Sequence, residues 1–98
     1  WNFYQGKNWG GTVFYHHGVG CVVHELCTIG RNCKIFGNVT IGCKWSGGDS
    51  PGLPPSVGND FLIGAGAVIL GNIHIGDHTI IGANAVVITD VPDYFLLN

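Results

Sequence analysis

Charge is scarce in this chain: Asp, Glu, Lys and Arg make up 10% of its 98 residues, and the formal net charge is −2. So few cations raise no field that could gather phosphates, which excludes nucleic acid and an anionic membrane surface as partners. Long hydrophobic runs are missing too. The longest, from Ala67 to Leu70 and from Ala85 to Ile88, fall far short of the roughly 20 residues that cross a bilayer, and no charged-then-apolar leader is visible. A soluble protein is expected. The sequence has no Met and begins at Trp1, so its amino terminus is expected to be processed or incomplete. The length suits one domain over residues 1–98, with 1–12 as lead-in. A chain this short buries only a little over about 60% of the surface it exposes when unfolded, so self-association is expected to help.

Cysteine is sparse as well. Cys21, Cys27 and Cys33 fall six residues apart, a spacing found in neither zinc ribbons nor secreted disulfide knots. Reduced thiols would point to a reducing compartment such as the cytoplasm.

What the chain does have is a period of six. Steps of six from Val23 reach Ile29, Ile35 and Ile41, then from Val57 they reach Ile63, Ile69, Ile75, Ile81 and Val87. All ten are Val or Ile, although those two types fill only 20 of 98 positions, so chance composition does not account for the run. Gly follows six of them. Four residues after each anchor stand Cys27, Cys33, Val39, Trp45, Phe61, Ala67, Ile73, Thr79, Ala85 and Val91, mostly small or apolar.

Each hexapeptide therefore reads as a short β-branched strand and a corner at which Gly, Asn and Asp supply backbone freedom. Apolar residues do not recur at helical steps, and the glycines would each cost about 1 kcal/mol inside a helix. The expected fold is all-β: a solenoid of three-strand coils over residues 13–95, with residues eighteen apart stacked, Ile63 over Ile81 for example. Cys21, Cys27 and Cys33 then face inward from the three sides of one coil as small hydrophobes. Cys43 faces outward. Ile41 and Val57 are sixteen apart instead of six, so the Gly- and Pro-rich segment 44–56 carries ten extra residues out as a loop, either functional or inert.

The histidine pair His16-His17 stands where the six-residue register begins. A neutral imidazole near pH 7 can take a proton from an alcohol. His24 reads as a surface corner residue. His74 and His78, four apart, resemble the zinc histidines of γ-class carbonic anhydrases, a minor alternative that needs more histidines than this pattern offers.

Several motifs together resemble serine acetyltransferases: His-His-Gly-Val-Gly-Cys-Val-Val from His16, Val-Thr-Ile-Gly from Val39, Ile-Gly-Ala-Gly-Ala from Ile63, and Ile-Gly-Ala-Asn-Ala-Val-Val from Ile81. The match runs in order over roughly residues 13 to 95. The resemblance implies a left-handed parallel β-helix with a protruding loop, a hand opposite to the usual crossover preference. It also implies an acetyl-CoA-dependent O-acetyltransferase in which His17 is the general base, with His16 beside it in place of a carboxylate. Acetyl-CoA is then a co-substrate, no metal is expected, and the chain works as a homotrimer with sites between subunits. The implied cofactor contacts are Cys43 and Lys44 at the loop entrance and Ala65 and Ala83 on the coils. Ala65 and Ala83 would stack on one edge, either to admit a pantetheine arm or because Ala suits a tight coil. Lys44 either meets a phosphate or is solvated.

The chain departs from that pattern in two places. Leu53 and Pro54 stand where serine acetyltransferases carry the Arg-His pair that holds the acceptor's carboxylate, so the expected acceptor is a small hydroxyl compound, amino acid or sugar. Every acidic residue also follows His17, which leaves no upstream carboxylate to orient it unless a neighbouring subunit supplies one. The alternative is a catalytically silent hexapeptide module, kept for structure or interaction.

Overall fold

A computed structural model describes residues 11–15, 19–24, 27–43 and 53–97. These form twelve strands of two or three residues, in three sheets whose pairings are all parallel. Sheet A runs β1 (Val13–Phe14), β4 (Lys34–Ile35), β7 (Leu62–Ile63), β10 (Ile80–Ile81) and β12 (Leu96–Leu97). Sheet B runs β11 (Val86–Val87), β8 (Val68–Leu70), β5 (Thr40–Gly42) and β2 (Val22–Val23). Sheet C contains β3 (Thr28–Ile29), β6 (Ser56–Val57) and β9 (His74–Ile75). From β2 to β11 consecutive strands visit B, C and A in rotation, so each circuit of three is one coil, as the period of six predicts.

The strands are short because each contributes one inward side chain. From Val23 to Val87 all ten anchors are buried, and at the second inward position Cys27, Cys33, Val39, Phe61, Ala67, Thr79 and Ala85 are buried with them. Ile73 is partly buried against this core. Thr79 is the buried polar member, and its Oγ1 donates to the Gly76 carbonyl at 3.3 Å. Ile63 pairs with Ile81 in parallel register, the stacking expected at eighteen residues.

Corners set the register where counting by six fails. At the C-to-A edge the backbone NH of Arg31 donates to Asn59 Oδ1, that of Asn59 to Asp77 Oδ1 and that of Asp77 to Asp93 Oδ1, at 2.7–2.8 Å. The residue after each, Asn32, Asp60, His78 and Tyr94, takes a left-handed φ of 54–58°. This ladder explains a departure from the expected repeat. Counting by six puts Val91 at the second inward position after Val87, but it bridges Ile75 in parallel and so occupies an anchor's place. The last coil is two residues short, with Ile81 opposite Leu97. Val91-Pro92-Asp93-Tyr94 repeats the corner chemistry of Ile75-Gly76-Asp77-His78, and the Asp93 cap outranks strict periodicity. At the other end Phe14 pairs with Ile35, twenty-one residues on.

The extra residues between Ile41 and Val57 behave as expected at both flanks: Ile29 pairs with Val57 and Ile41 with Ile69, each twenty-eight apart. Re-entry begins before the expected loop end. Pro55 is buried, its carbonyl accepts from Thr28 N at 3.3 Å, and Ser56 already lies in β6. Residues 44–52 of the loop, lead-in residues 1–10 and Trp45 lie outside the described residues.

All four cysteines are free, with Cys21, Cys27 and Cys33 buried and Cys43 half-buried. Cys33 Sγ donates to the Arg31 carbonyl at 3.3 Å. Burial pushes its pKa above the ordinary thiol value, outweighing the opposing hydrogen bonds from the Phe61 backbone and Thr12. The neutral thiol packs as a hydrophobe, as the six-residue register predicts. Its stabilising effect is full below the unfolded thiol's pKa and is lost as pH rises through the folded one.

Three outcomes test this architecture. Ile63→Ala should cost about 2–5 kcal/mol in urea unfolding, whereas Val22→Ala on the outer face of sheet B should cost about 0.5 kcal/mol or less; equal losses would refute the inward assignment. A Cβ at Gly58 would overlap the Asp77 carboxylate and the Gly76 backbone, so Gly58→Ala should lower the melting temperature markedly. In native protein iodoacetamide should label Cys43 well before the other three cysteines, all of which should react in denaturant.

Candidate functional site

The edge between sheets A and B is built differently from the C-to-A edge. Its left-handed positions are Gly20, Asn38, Gly66 and Asn84, and among the described residues its side chains are uncharged. Asn38 N donates to the Val19 carbonyl at 3.0 Å, Gly66 N to the Gly37 carbonyl at 3.0 Å and Asn84 N to the Ala65 carbonyl at 2.9 Å. Four successive coils are thereby locked together along one edge.

Ala65 and Ala83 both stand exposed on this edge, one coil apart. They are brought together as the eighteen-residue spacing predicts. Gly64 is what allows the close approach, since a Cβ there would meet the backbone of Gly82 and Ala83. His16 and His17 lie outside the described residues, but their described neighbours are informative. Tyr15 on one side stacks on Phe36, with centroids 4.7 Å apart and planes 12° apart, and Val19 on the other is the partner of Asn38. Both flanks of the histidine pair therefore meet the edge that carries Ala65 and Ala83.

Cys43 does not join this group. It follows β5 at the far side of sheet B, at the B-to-C edge, where Gly71 N donates to the Gly42 carbonyl at 3.0 Å. It is half-buried instead of fully outward as expected. Lys44, expected beside it, lies outside the described residues. Leu53, one of the two residues at the position of the carboxylate-binding pair, is exposed.

Between the flanks of the histidine pair and Ala65 lies a groove of about 280 Å³, lined by Val19, Phe36, Gly37, Asn38 and Ala65. Phe36 and Asn38 were not singled out from the sequence. A signal existed for Phe36, which follows anchor Ile35 where six other anchors are followed by Gly.

A larger groove of about 470 Å³ lies beside sheet A, where Lys34, Asp60 and His78 line it with Leu62 and Ile80. His78 Nε2 is 3.9 Å from Asp60 Oδ2, and its ring stacks on Tyr94 at 4.8 Å. His74 sits on the outer face of β9, its backbone NH bound to Asp90 Oδ1 at 2.8 Å. Among the described residues no three His, Cys, Asp or Glu side chains form a metal-holding cluster. Among them, too, no helix is long and apolar enough to cross a membrane.

The family described as bacterial transferase hexapeptide (six repeats) matches residues 54–89. A serine acetyltransferase from Staphylococcus aureus is 43% identical over 91 residues, which cover 93% of this chain and 42% of that protein. The chain thus spans less than half the length of the curated relatives it matches. Among solved structures, the Neisseria gonorrhoeae serine acetyltransferase in complex with serine superposes with a TM-score of 0.76 at 41% identity, covering 88% of this chain and 34% of that one. A serine acetyltransferase in complex with CoA gives a TM-score of 0.71 at 40% identity, covering 85% of this chain and 32% of that one. Parallel strands in three sheets, the six-residue shaft and these likenesses agree: the chain is a left-handed parallel β-helix with hexapeptide repeats, similar over most of its length to part of the serine acetyltransferases.

Proposed function

We propose that this chain carries the acetyl-transfer site of an acetyl-CoA-dependent O-acetyltransferase. The observation that supports it is the A-to-B edge, on which Ala65 and Ala83 stack and against which both flanks of the His16-His17 pair are packed. His17 takes the proton of an acceptor hydroxyl as the oxygen attacks the thioester carbonyl carbon. The carbon–sulfur bond breaks, the acetyl group passes to the oxygen, and the departing CoA sulfur recovers the proton from the imidazolium. No acyl-enzyme is involved. The small, exposed Ala65 and Ala83 let the pantetheine arm run along backbone groups, and Cys43 and Lys44 bound the cofactor where the loop begins.

Orientation of His17 is the weak point of a lone subunit. Among the described residues Asp60, Asp77 and Asp93 stand at the C-to-A edge and Asp90 at the B-to-C edge, and none of them stands at the A-to-B edge that Tyr15 and Val19 meet. A homotrimer with sites between subunits lets a neighbouring chain supply the orienting group. Free thiols and the co-substrate suit the cytoplasm. The acceptor is a small hydroxyl compound, amino acid or sugar.

Acetyl-CoA titrated calorimetrically should bind, and His17→Ala should lower thiol release about 10²–10⁴-fold with binding intact; turnover within tenfold of the parent would remove His17 as the base. Ala83→Trp should weaken acetyl-CoA binding at least about tenfold by filling the edge, with an unchanged melting temperature. No binding at all would favour a silent structural module.

A further inference from the structure

We infer that the groove beside sheet A is a ligand site of its own, which takes a free α-amino acid with an apolar side chain as the zwitterion: carboxylate on Lys34, ammonium on Asp60, side chain on Leu62 and Ile80. It stands apart from the A-to-B edge, and the inference does not rest on the acetyltransferase reading. Two parallel ridges build the groove. Lys34, Leu62 and Ile80 stand on the outer faces of β4, β7 and β10, which pair in register. Neighbouring strands lie about 4.8 Å apart, so this ridge is about 10 Å long. Asn32, Asp60 and His78 form the other ridge, each holding a left-handed φ of 54–56° at its corner. Phe61 and Thr79, whose side chains are buried in the shaft, leave backbone as the floor between the ridges. The groove holds about 470 Å³, within the range of about 300–1,000 Å³ usual for small-molecule sites.

Charge then selects the occupant. The ridges set a cation, Lys34, and an anion, Asp60, on the same groove. No ion pair joins these two; the Asp60 carboxylate instead stands 3.9 Å from His78 Nε2. An anion entering alone would be repelled by Asp60 and a cation alone by Lys34, whereas a zwitterion meets both with the opposite sign. An α-amino acid carries its two charged groups on one carbon, and the flexible stem of Lys34 lets its ammonium follow the carboxylate. The ligand's side chain then covers Leu62 and Ile80. Ile80 is 46% exposed, so aliphatic carbon laid on it removes apolar surface from water. Among the corner carboxylates of this edge, Asp77 and Asp93 accept backbone NH groups at 2.7 Å, while Asp60 borders the groove. Its setting is firm. Asp60 N donates to the Arg31 carbonyl at 2.8 Å and His78 N to the Asn59 carbonyl at 2.9 Å, and the His78 ring is held by its stack on Tyr94. Walls fixed in this way spare part of the ordering that binding would otherwise require.

Titration of the full chain with L-leucine, followed by proton–nitrogen correlation NMR, tests the inference. Binding with a Kd on the order of 1 mM, the scale for partly exposed charges, should shift the amides of Lys34, Asp60, Leu62 and His78 and leave those of Ala65 and Ala83 in place. N-acetyl-L-leucine lacks the ammonium and L-leucinamide the carboxylate, and each should bind at least about fivefold more weakly. Glycine, without the side chain, should bind about tenfold more weakly. Lys34→Met should weaken leucine at least about fivefold and leave leucinamide unchanged, and Asp60→Asn, which keeps a residue suited to the left-handed corner, should weaken leucine and leave N-acetyl-leucine unchanged. No shifts at about 10 mM leucine, shifts confined to the A-to-B edge, or equal affinity for leucine and both of its blocked forms overturns the inference. The blocked forms decide it without either variant, so a variant that fails to fold does not shelter it. Its failure leaves the acetyltransferase reading standing, and absence of acetyl-CoA binding leaves this site standing.

Discussion

Each coil of this solenoid can bury its inward side chains only by lying directly on the next, so parallel backbone hydrogen bonds between coils govern everything else in the structure. A single hexapeptide offers one anchor and one smaller inward residue, far too little apolar surface to offset the cost of ordering its backbone. Stacked, the anchors make one continuous shaft in which Ile35, Ile41, Ile63, Ile69, Ile75 and Ile81 lose all contact with water. Every other feature follows from keeping that stack in register.

Corners carry that task, and the three edges solve it with different chemistry. At the C-to-A edge, Asn and Asp side chains cap the preceding coil's backbone NH groups, so this edge is polar and closely bonded. At the A-to-B edge, Gly and Asn alternate at the left-handed positions, and small residues next to them leave backbone and groove open. At the C-to-A edge the Asn59, Asp77 and Asp93 side chains are committed to capping, while Asp60 and His78 beside them border the larger groove. An edge built from Ala65, Ala83, Gly37 and Gly66 keeps room for a ligand. The division between a capped edge and an open edge is thus a consequence of corner composition.

The same division bears on catalysis. The acidic residues described here stand at the other two edges, where Asp77, Asp90 and Asp93 accept backbone NH groups. A base on the A-to-B edge therefore depends on what else approaches that edge, whether the loop that leaves the coil after Cys43 or a neighbouring chain. This is why assembly and chemistry are coupled in the proposed function, although the shaft itself needs no partner to define its register.

The fold was legible because periodicity in a solenoid is local: the identity of every sixth residue decides its burial, and Val23 to Val87 needed no tertiary information to be assigned inward. Stacking of Ala65 on Ala83 was legible for the same reason. What the one-dimensional pattern could not carry was any register that breaks the count. Val91 looked like a second-position residue until the Asp93 cap drew it opposite Ile75, because a corner hydrogen bond outweighs a two-residue discrepancy in spacing. Cys43 and Ala65, both implied as cofactor contacts, stand on opposite edges of sheet B, a separation the spacing alone does not reveal. The roles proposed for His16, His17 and Lys44 came only from resemblance, since their chemistry depends on neighbours brought from other coils. By itself, then, the sequence determined which side chains fill the shaft and where the chain must leave it, since burial there repeats with residue number. Only the tertiary structure decided which edge is open and which aromatic and amide groups, Phe36 and Asn38, border the groove, because edges are assembled from residues eighteen or more positions apart and their contacts have no period to read.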